Sequence, residues 1–215
     1  EDLSKTIILI GVDGEIKGIL SLSDKIKANS KRTIEELHKM GIETYMLTGD
    51  NKKTASTVAS AVGLDNVCAG VLPENKLDIV KNLQKEDKTV LFVGDGINDA
   101  PALTQANIGV AMGNGTDIAM ESGDIVVMEG DLENVVAAVQ FSKKVMTRIK
   151  ENLFWAFAYN VILIPLAAGA LYAGFGIMFM PEWSALAMAL SSVTVISLSL
   201  ALKGYVPAIK KETKS

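Results

Sequence analysis

Residues 153–202 carry one charged side chain, Glu182, whereas charged residues are frequent from Glu1 to Lys150. The chain therefore divides near Lys150 into a water-soluble part and a lipid-soluble part. The second part consists of two apolar runs, 153–175 and 183–202, and a helix needs about 20 such residues to cross a bilayer core. Seven residues at most join them, Gly176, Pro181 and Glu182 among these, so the two spans are expected to form an antiparallel hairpin. Two buried helices of a large soluble core are the alternative. No polar stripe at helical spacing interrupts either run, which disfavours it. A mean hydropathy of +0.29 agrees with lipid contact.

The flanks set the orientation. Lys143, Lys144, Arg148 and Lys150 precede the first run, Lys203, Lys210, Lys211 and Lys214 follow the second, and the loop between has no Lys or Arg. The positive-inside rule places both ends in the cytosol and the loop outside. Trp155 and Trp183 stand where interfacial anchors belong. Most of Ser191, Thr194, Ser197 and Ser199 need no role beyond helix packing. Asn160, beside Tyr159, must find partners in hydrocarbon. Met188 and Ser192 lie four apart, on one helical face. A thioether is a soft donor suited to Cu(I), and neither span contains Asp, Lys or Arg, which disfavours a proton, Ca(II) or Zn(II) path. Asn160 lies roughly 10 Å from the cytosolic side, and Met188 and Ser192 roughly 8 and 14 Å from the outer side.

A net charge of −4 excludes the basic patch of a nucleic-acid surface. The lone Cys68 can form no internal disulfide and suits a reduced setting; a small buried strand residue is expected there. No signal peptide is present, and a chain starting at Glu1 with a hairpin just behind it is expected to be part of a longer protein.

In the first 150 residues, strands and helices alternate. Asp13-Gly14 between two apolar runs, 6–12 and 16–22, marks a hairpin. A helix over 29–39 ends at Gly41. Strand 43–47 runs into Thr48-Gly49-Asp50-Asn51 and a helix to Val62. A short strand near Val67 precedes Pro73-Glu74-Asn75-Lys76 and a helix to about Gln84. Strand 89–93 runs into Gly94-Asp95-Gly96-Ile97-Asn98-Asp99 and a helix through Gln105, with further strands at 108–111 and 125–128. This order predicts an α/β, doubly wound parallel sheet with its ligands at the carboxyl ends of the strands. Asp95 and Asp99 offer hard oxygen donors for Mg(II). Thr48 offers a hydroxyl ahead of a helix N-terminus, and Lys76 a cation for a phosphoryl group. An isolated TGD is a turn with an N-cap, an isolated PxxK a helix start. The GDGxND run is more specific because it continues into a helix with Pro101 in its first turn.

Met46-Leu47-Thr48-Gly49-Asp50-Asn51, Pro73-Glu74-Asn75-Lys76 and the GDGxND run closely resemble the phosphorylation domain of P-type ATPases, in the haloacid-dehalogenase-like superfamily. Tyr159-Asn160 and Met188-Ala189-Leu190-Ser191-Ser192 look like the paired "YN" and "MxxSS" signatures of the Cu(I)-transporting P1B-type pumps. The resemblance implies that Thr48, Gly49, Asp50, Lys76, Asp95, Asn98 and Asp99 serve phosphoryl transfer, with Asp95 and Asp99 at Mg(II). It implies that Tyr159, Asn160, Met188 and Ser192 line the metal path.

It also implies four parts: 1–22 as the last hairpin of a nucleotide-binding domain, 23–140 as the phosphorylation domain, 141–203 as stalk and transmembrane hairpin, and 204–215 as a cytosolic tail, with a hinge near Ser23-Asp24. ATP and Mg(II) are the implied cofactors and Cu(I) the cargo. The implied partners are the rest of the polypeptide, a copper chaperone and the bilayer, in a multi-pass protein of a prokaryotic plasma membrane. The family's DKTGT, TGE and CPC motifs and its nucleotide-pocket histidine are absent. His38 is expected on a solvated helix face. A pump for another ion and a non-catalytic, membrane-anchored regulatory domain stay open as rivals.

Overall fold

The computed structural model describes residues 6–22, 25–113, 117–128, 130–178 and 180–212. Contacts divide the chain into two units, Glu1–Val136 and Ala137–Ser215. The expected hinge at Ser23-Asp24 lies outside the described residues.

The first unit opens with the antiparallel pair β1 (Thr6–Val12) and β2 (Glu15–Leu22). Asp13 and Gly14 take φ of 53° and 81°, which a two-residue hairpin turn requires. The order then runs α1 (Ser30–Lys39), β3 (Tyr45–Leu47), α2 (Lys52–Val62), β4 (Asn66–Cys68), α3 (Pro73–Lys85), β5 (Leu91–Gly94), α4 (Ala100–Gln105), β6 (Ile108–Met112), α5 (Asp117–Ser122) and β7 (Ile125–Val127). Local chemistry fixes most boundaries. Asn51 caps α2 by accepting the Thr54 N–H, and Gly63 ends it at φ 81°. Pro73 opens α3, where its missing N–H costs nothing.

The single sheet expected from the sequence is divided. β3 pairs in parallel with β4, and β5, β6 and β7 form a separate parallel sheet in that order. β3 and β5 each keep one edge without a partner strand among the described residues. Side chains link their starting ends instead: Lys88 donates to the Tyr45 hydroxyl at 2.7 Å and to Glu43 at 3.0 Å. The core of the three-stranded sheet is Val110, Met112, Val127 and Val135, with Leu91, Val93 and Leu132 packed on it.

One expectation about a single residue is corrected and another gains a partner. Cys68 is half-buried rather than buried, because β4 is an edge strand with three half-exposed positions. His38 is exposed on α1 as expected, and its Nε2 lies 3.0 Å from Asp65 Oδ2 and 3.1 Å from Thr44 Oγ1. Asp65 also accepts from the Thr44 N–H at 2.7 Å and the Thr44 hydroxyl at 2.9 Å. The backbone N–H, then the hydroxyl, hold its carboxyl below the ordinary 3.8. A carboxyl depressed in the folded state contributes stability above its unfolded pKa and loses it as pH falls through the folded value. The thermal midpoint of the chain in detergent should therefore fall with acidification below about pH 4. Asp65→Asn should flatten that part of the profile, measured by circular dichroism.

In the second unit, α6 (Leu132–Ala167), which begins in the first, leads to α7 (Ala170–Phe175), α8 (Pro181–Leu200) and α9 (Ala208–Glu212). The first apolar run is thus broken. Gly169 at φ 93° ends α6 and starts α7, and Pro165 in the turn before removes a helical hydrogen bond. Among the described residues one helix, Glu182–Gly204, is long and apolar enough to cross a membrane. Asn152 donates to Ser199 at 2.9 Å and the Tyr159 hydroxyl lies 3.5 Å from that of Thr194, so α6 and α8 run antiparallel at these contacts. The tail folds back: Ile209 is fully buried, its N–H donates to Gln140 Oε1 at 3.2 Å, and Tyr205 packs on Phe141.

Candidate active site

The loop after β5 is built around one carboxylate. Asp99, buried at 6% exposure, accepts the N–H groups of Asp95 and Gly96 on Oδ2 at 3.3 and 3.2 Å. Its other oxygen, Oδ1, takes the Lys76 ammonium at 2.7 Å. Lys76 stands in the first turn of α3, so this ion pair ties α3 to the 95–99 loop. Gly94 makes the approach possible: a Cβ there would stand 2.6 Å from the Cβ of Asp99. The Asp95 side chain is exposed at the carboxyl end of β5, and no hydrogen bond or ion pair with the described residues holds its carboxylate. Asn98 is exposed in the short turn Ile97–Asp99.

The second loop follows β3. The Thr48 hydroxyl donates to Asp50 Oδ2 at 3.0 Å and accepts the Asp50 N–H at 3.1 Å. Backbone bonds from Gly70 to Asp50 and from Val71 to Thr48 fasten it to the segment after β4. Gly49 is exposed, and a Cβ there would meet only ordinary contact with the Val71 carbonyl at 3.8 Å. Thus Lys76, Asp95 and Asp99 come together and Thr48, Gly49 and Asp50 come together. Among the described residues no hydrogen bond joins the two groups.

Mg(II) fits the first group by donor chemistry. It binds through one or two carboxylates with phosphate and water oxygens completing its shell, and Asp95 is the carboxylate left for it. Asp99 has one oxygen on the Lys76 ammonium and the other on the N–H groups of the loop. No cluster of three or more His, Cys, Asp or Glu occurs among the described residues.

In the second unit, Tyr159 is half-buried against Thr194, while Asn160, Met188 and Ser192 are exposed. Asn160 donates to its own helix at the Ala156 carbonyl, 2.8 Å away, and Ser192 to the Met188 carbonyl at 3.3 Å. Met188 is 66% exposed. The four residues do not close a site between these two helices.

The folding pattern and these loops have counterparts among known proteins. Two family models described as haloacid dehalogenase-like hydrolase match residues 1–107 and 76–139. A protein of Archaeoglobus fulgidus named "Probable copper-exporting P-type ATPase" is 51% identical over 97% of this chain and 26% of its own length. "Copper-transporting ATPase 2" of Rhizobium meliloti is 48% identical over 95% of the chain and 25% of its own length. A crystal structure of a zinc-transporting PIB-type ATPase in the E2.Pi state superposes with a TM-score of 0.80 at 32% identity, covering 94% of this chain and 32% of that one. The fold of the first unit is that of the haloacid dehalogenase-like hydrolases. Within them, the chain belongs to the P-type ATPases. It spans about a quarter of the length of the curated relatives it matches.

Proposed function

We propose that this chain is part of an ATP-driven Cu(I) export pump that works through an aspartyl-phosphate, and that it supplies the phosphate-contact and Mg(II) residues and two membrane segments. The observation that carries this reading is the Lys76–Asp99 ion pair locked beneath an exposed Asp95. Lys76 brings positive charge to the transferred phosphoryl group, and Asp99 keeps that ammonium from swinging into solvent. Asp95 would hold Mg(II), which neutralises charge on the phosphoryl oxygens. Thr48 would turn its hydroxyl from Asp50 to a phosphoryl oxygen, ahead of the α2 N-terminus.

The sequence holds no DKTGT motif, so the nucleophilic aspartate belongs elsewhere in the complete pump. The edges of β3 and β5 that have no partner strand among the described residues suit an added strand that would bring it between the two loops. The β1–β2 hairpin, with Ile16 and Ile19 about two-thirds exposed, suits packing against the rest of a nucleotide-binding domain.

In the membrane, 153–175 and 182–204 form two spans despite the break at Gly169, with the soluble unit and the tail in the cytosol of a prokaryote. The exposure of Asn160, Met188 and Ser192 directs them at other membrane segments of the same polypeptide, where a Cu(I) path would close. A copper chaperone would deliver the ion. The fold shared with a zinc transporter supports one rival, a pump for another ion.

The complete protein in vesicles should hydrolyse MgATP only with Cu(I) and accumulate a hydroxylamine-labile phosphoprotein. Stimulation by Zn(II) in place of Cu(I) would carry the rival. ATP hydrolysis by this 215-residue chain alone would overturn the division of labour.

A further inference from the structure

The sequence singles out nothing between residues 25 and 33 beyond a helix start, yet α1 and α6 begin against each other through side chains. Asp131, next to the left-handed Gly130 (φ 58°), caps α6: its Oδ1 accepts the Glu133 N–H at 3.0 Å. The same oxygen takes the Asn29 amide at 2.8 Å. Lys27 donates to the Gly130 carbonyl at 3.1 Å. Glu133, 4% exposed, faces Arg32 at 3.7 Å. Thr33, 2% exposed, donates its hydroxyl to the Asn29 carbonyl at 2.9 Å and holds that residue in place.

The segment leading into α1 and the first turn of that helix thus hold the first residues of α6. A cap alone needs one acceptor; here its oxygen is shared across elements 102 residues apart. A carboxylate buried as deeply as Glu133 is retained at a cost unless its geometry is needed. From this joint α6 continues as one helix through Tyr159 and Asn160. A helix can pass on a displacement only if its end is fixed to the part that moves.

We infer that the Asn29–Asp131 and Arg32–Glu133 contacts are a coupling joint, with Asn29 as a positioning residue that makes movement of the phosphorylation domain act on α6. This rests on the pump reading above. Asn29→Asp sets two carboxylates 2.8 Å apart with almost no change in volume and leaves α1 a good N-terminal residue. Asp131→Asn in the same chain restores an acid–amide pair with its polarity reversed and keeps a capping oxygen.

The test uses the complete pump in vesicles, with Cu(I) uptake and ATP hydrolysis measured on one preparation. N29D should lower the ions moved per ATP at least fivefold while phosphoenzyme formed from ATP stays within twofold, and N29D/D131N should recover most of the ratio. An unchanged ratio in N29D, or uptake and hydrolysis falling in proportion, overturns the joint. So does failure of the double variant to recover. If the unaltered pump shows no Cu(I)-stimulated hydrolysis, the pump reading falls and the joint with it. If it pumps and N29D pumps equally well, only the joint falls.

Discussion

Asp95→Asn in the complete pump should abolish phosphoenzyme formation from MgATP while leaving the fold intact, and Lys76→Met should damage both. The two residues stand in one loop system but are held differently. Asp95 is exposed and makes no side-chain hydrogen bond or ion pair among the described residues, so its amide isostere removes a charge and disturbs nothing else. The loss expected is at least about 100-fold in turnover, the scale of removing one preorganised charge from a phosphoryl-transfer site. Thermal unfolding should shift little.

Lys76→Met leaves the Asp99 carboxyl group at 9% side-chain exposure with its cation gone. Breaking a buried pair costs about 3–5 kcal/mol. Because Lys76 is 21% exposed and Asp99 keeps two backbone N–H donors, the cost here should be nearer 2 kcal/mol. The prediction is a thermal midpoint several degrees lower together with lost phosphorylation. Lys76→Met/Asp99→Asn should recover stability without recovering activity. Recovery of both would mean that Lys76 acts only as a structural counter-ion.

That contrast was only half legible in the sequence. The residues were: Thr48, Lys76, Asp95 and Asp99 sit where strand, turn and helix signals place the carboxyl ends of parallel strands. Local chemistry also gave the Asp13-Gly14 turn and the Pro73 helix start, since each acts within four residues. What escaped is what depends on distant partners. Nothing near Lys76 says that it pairs with a carboxylate 23 residues on and leaves Asp95 alone at the surface. Nothing within β3 or β5 says that they do not join one sheet, because strand pairing is chosen by neighbours. The same holds for Asn29 and Asp131. The break at Gly169 is a different kind of miss: glycine is a helix-end signal, but inside a run without charges hydropathy outweighs it. The tail's return to Gln140 and Phe141 has no periodic pattern to announce it.

Met188→Leu should remove Cu(I) stimulation of ATP hydrolysis by at least about tenfold and leave phosphorylation by inorganic phosphate unchanged. The swap is nearly isosteric, so packing cost stays below about 1.5 kcal/mol, and at 66% exposure Met188 has little packing against this chain to lose. What disappears is one soft thioether donor, the property that separates a Cu(I) path from a hard-ion path. Backbone effects are equally small, because the Ser192 hydroxyl bonds to the carbonyl of residue 188 rather than to its side chain. Asn160→Ala supplies the control at the other helix. Among the described residues the amide donates to its own backbone at Ala156, so its loss should leave the α6–α8 contacts intact and lower Cu(I) affinity without changing the maximal rate as far. Stimulation unchanged in Met188→Leu would move metal selection off α8 altogether and favour a pump for another ion.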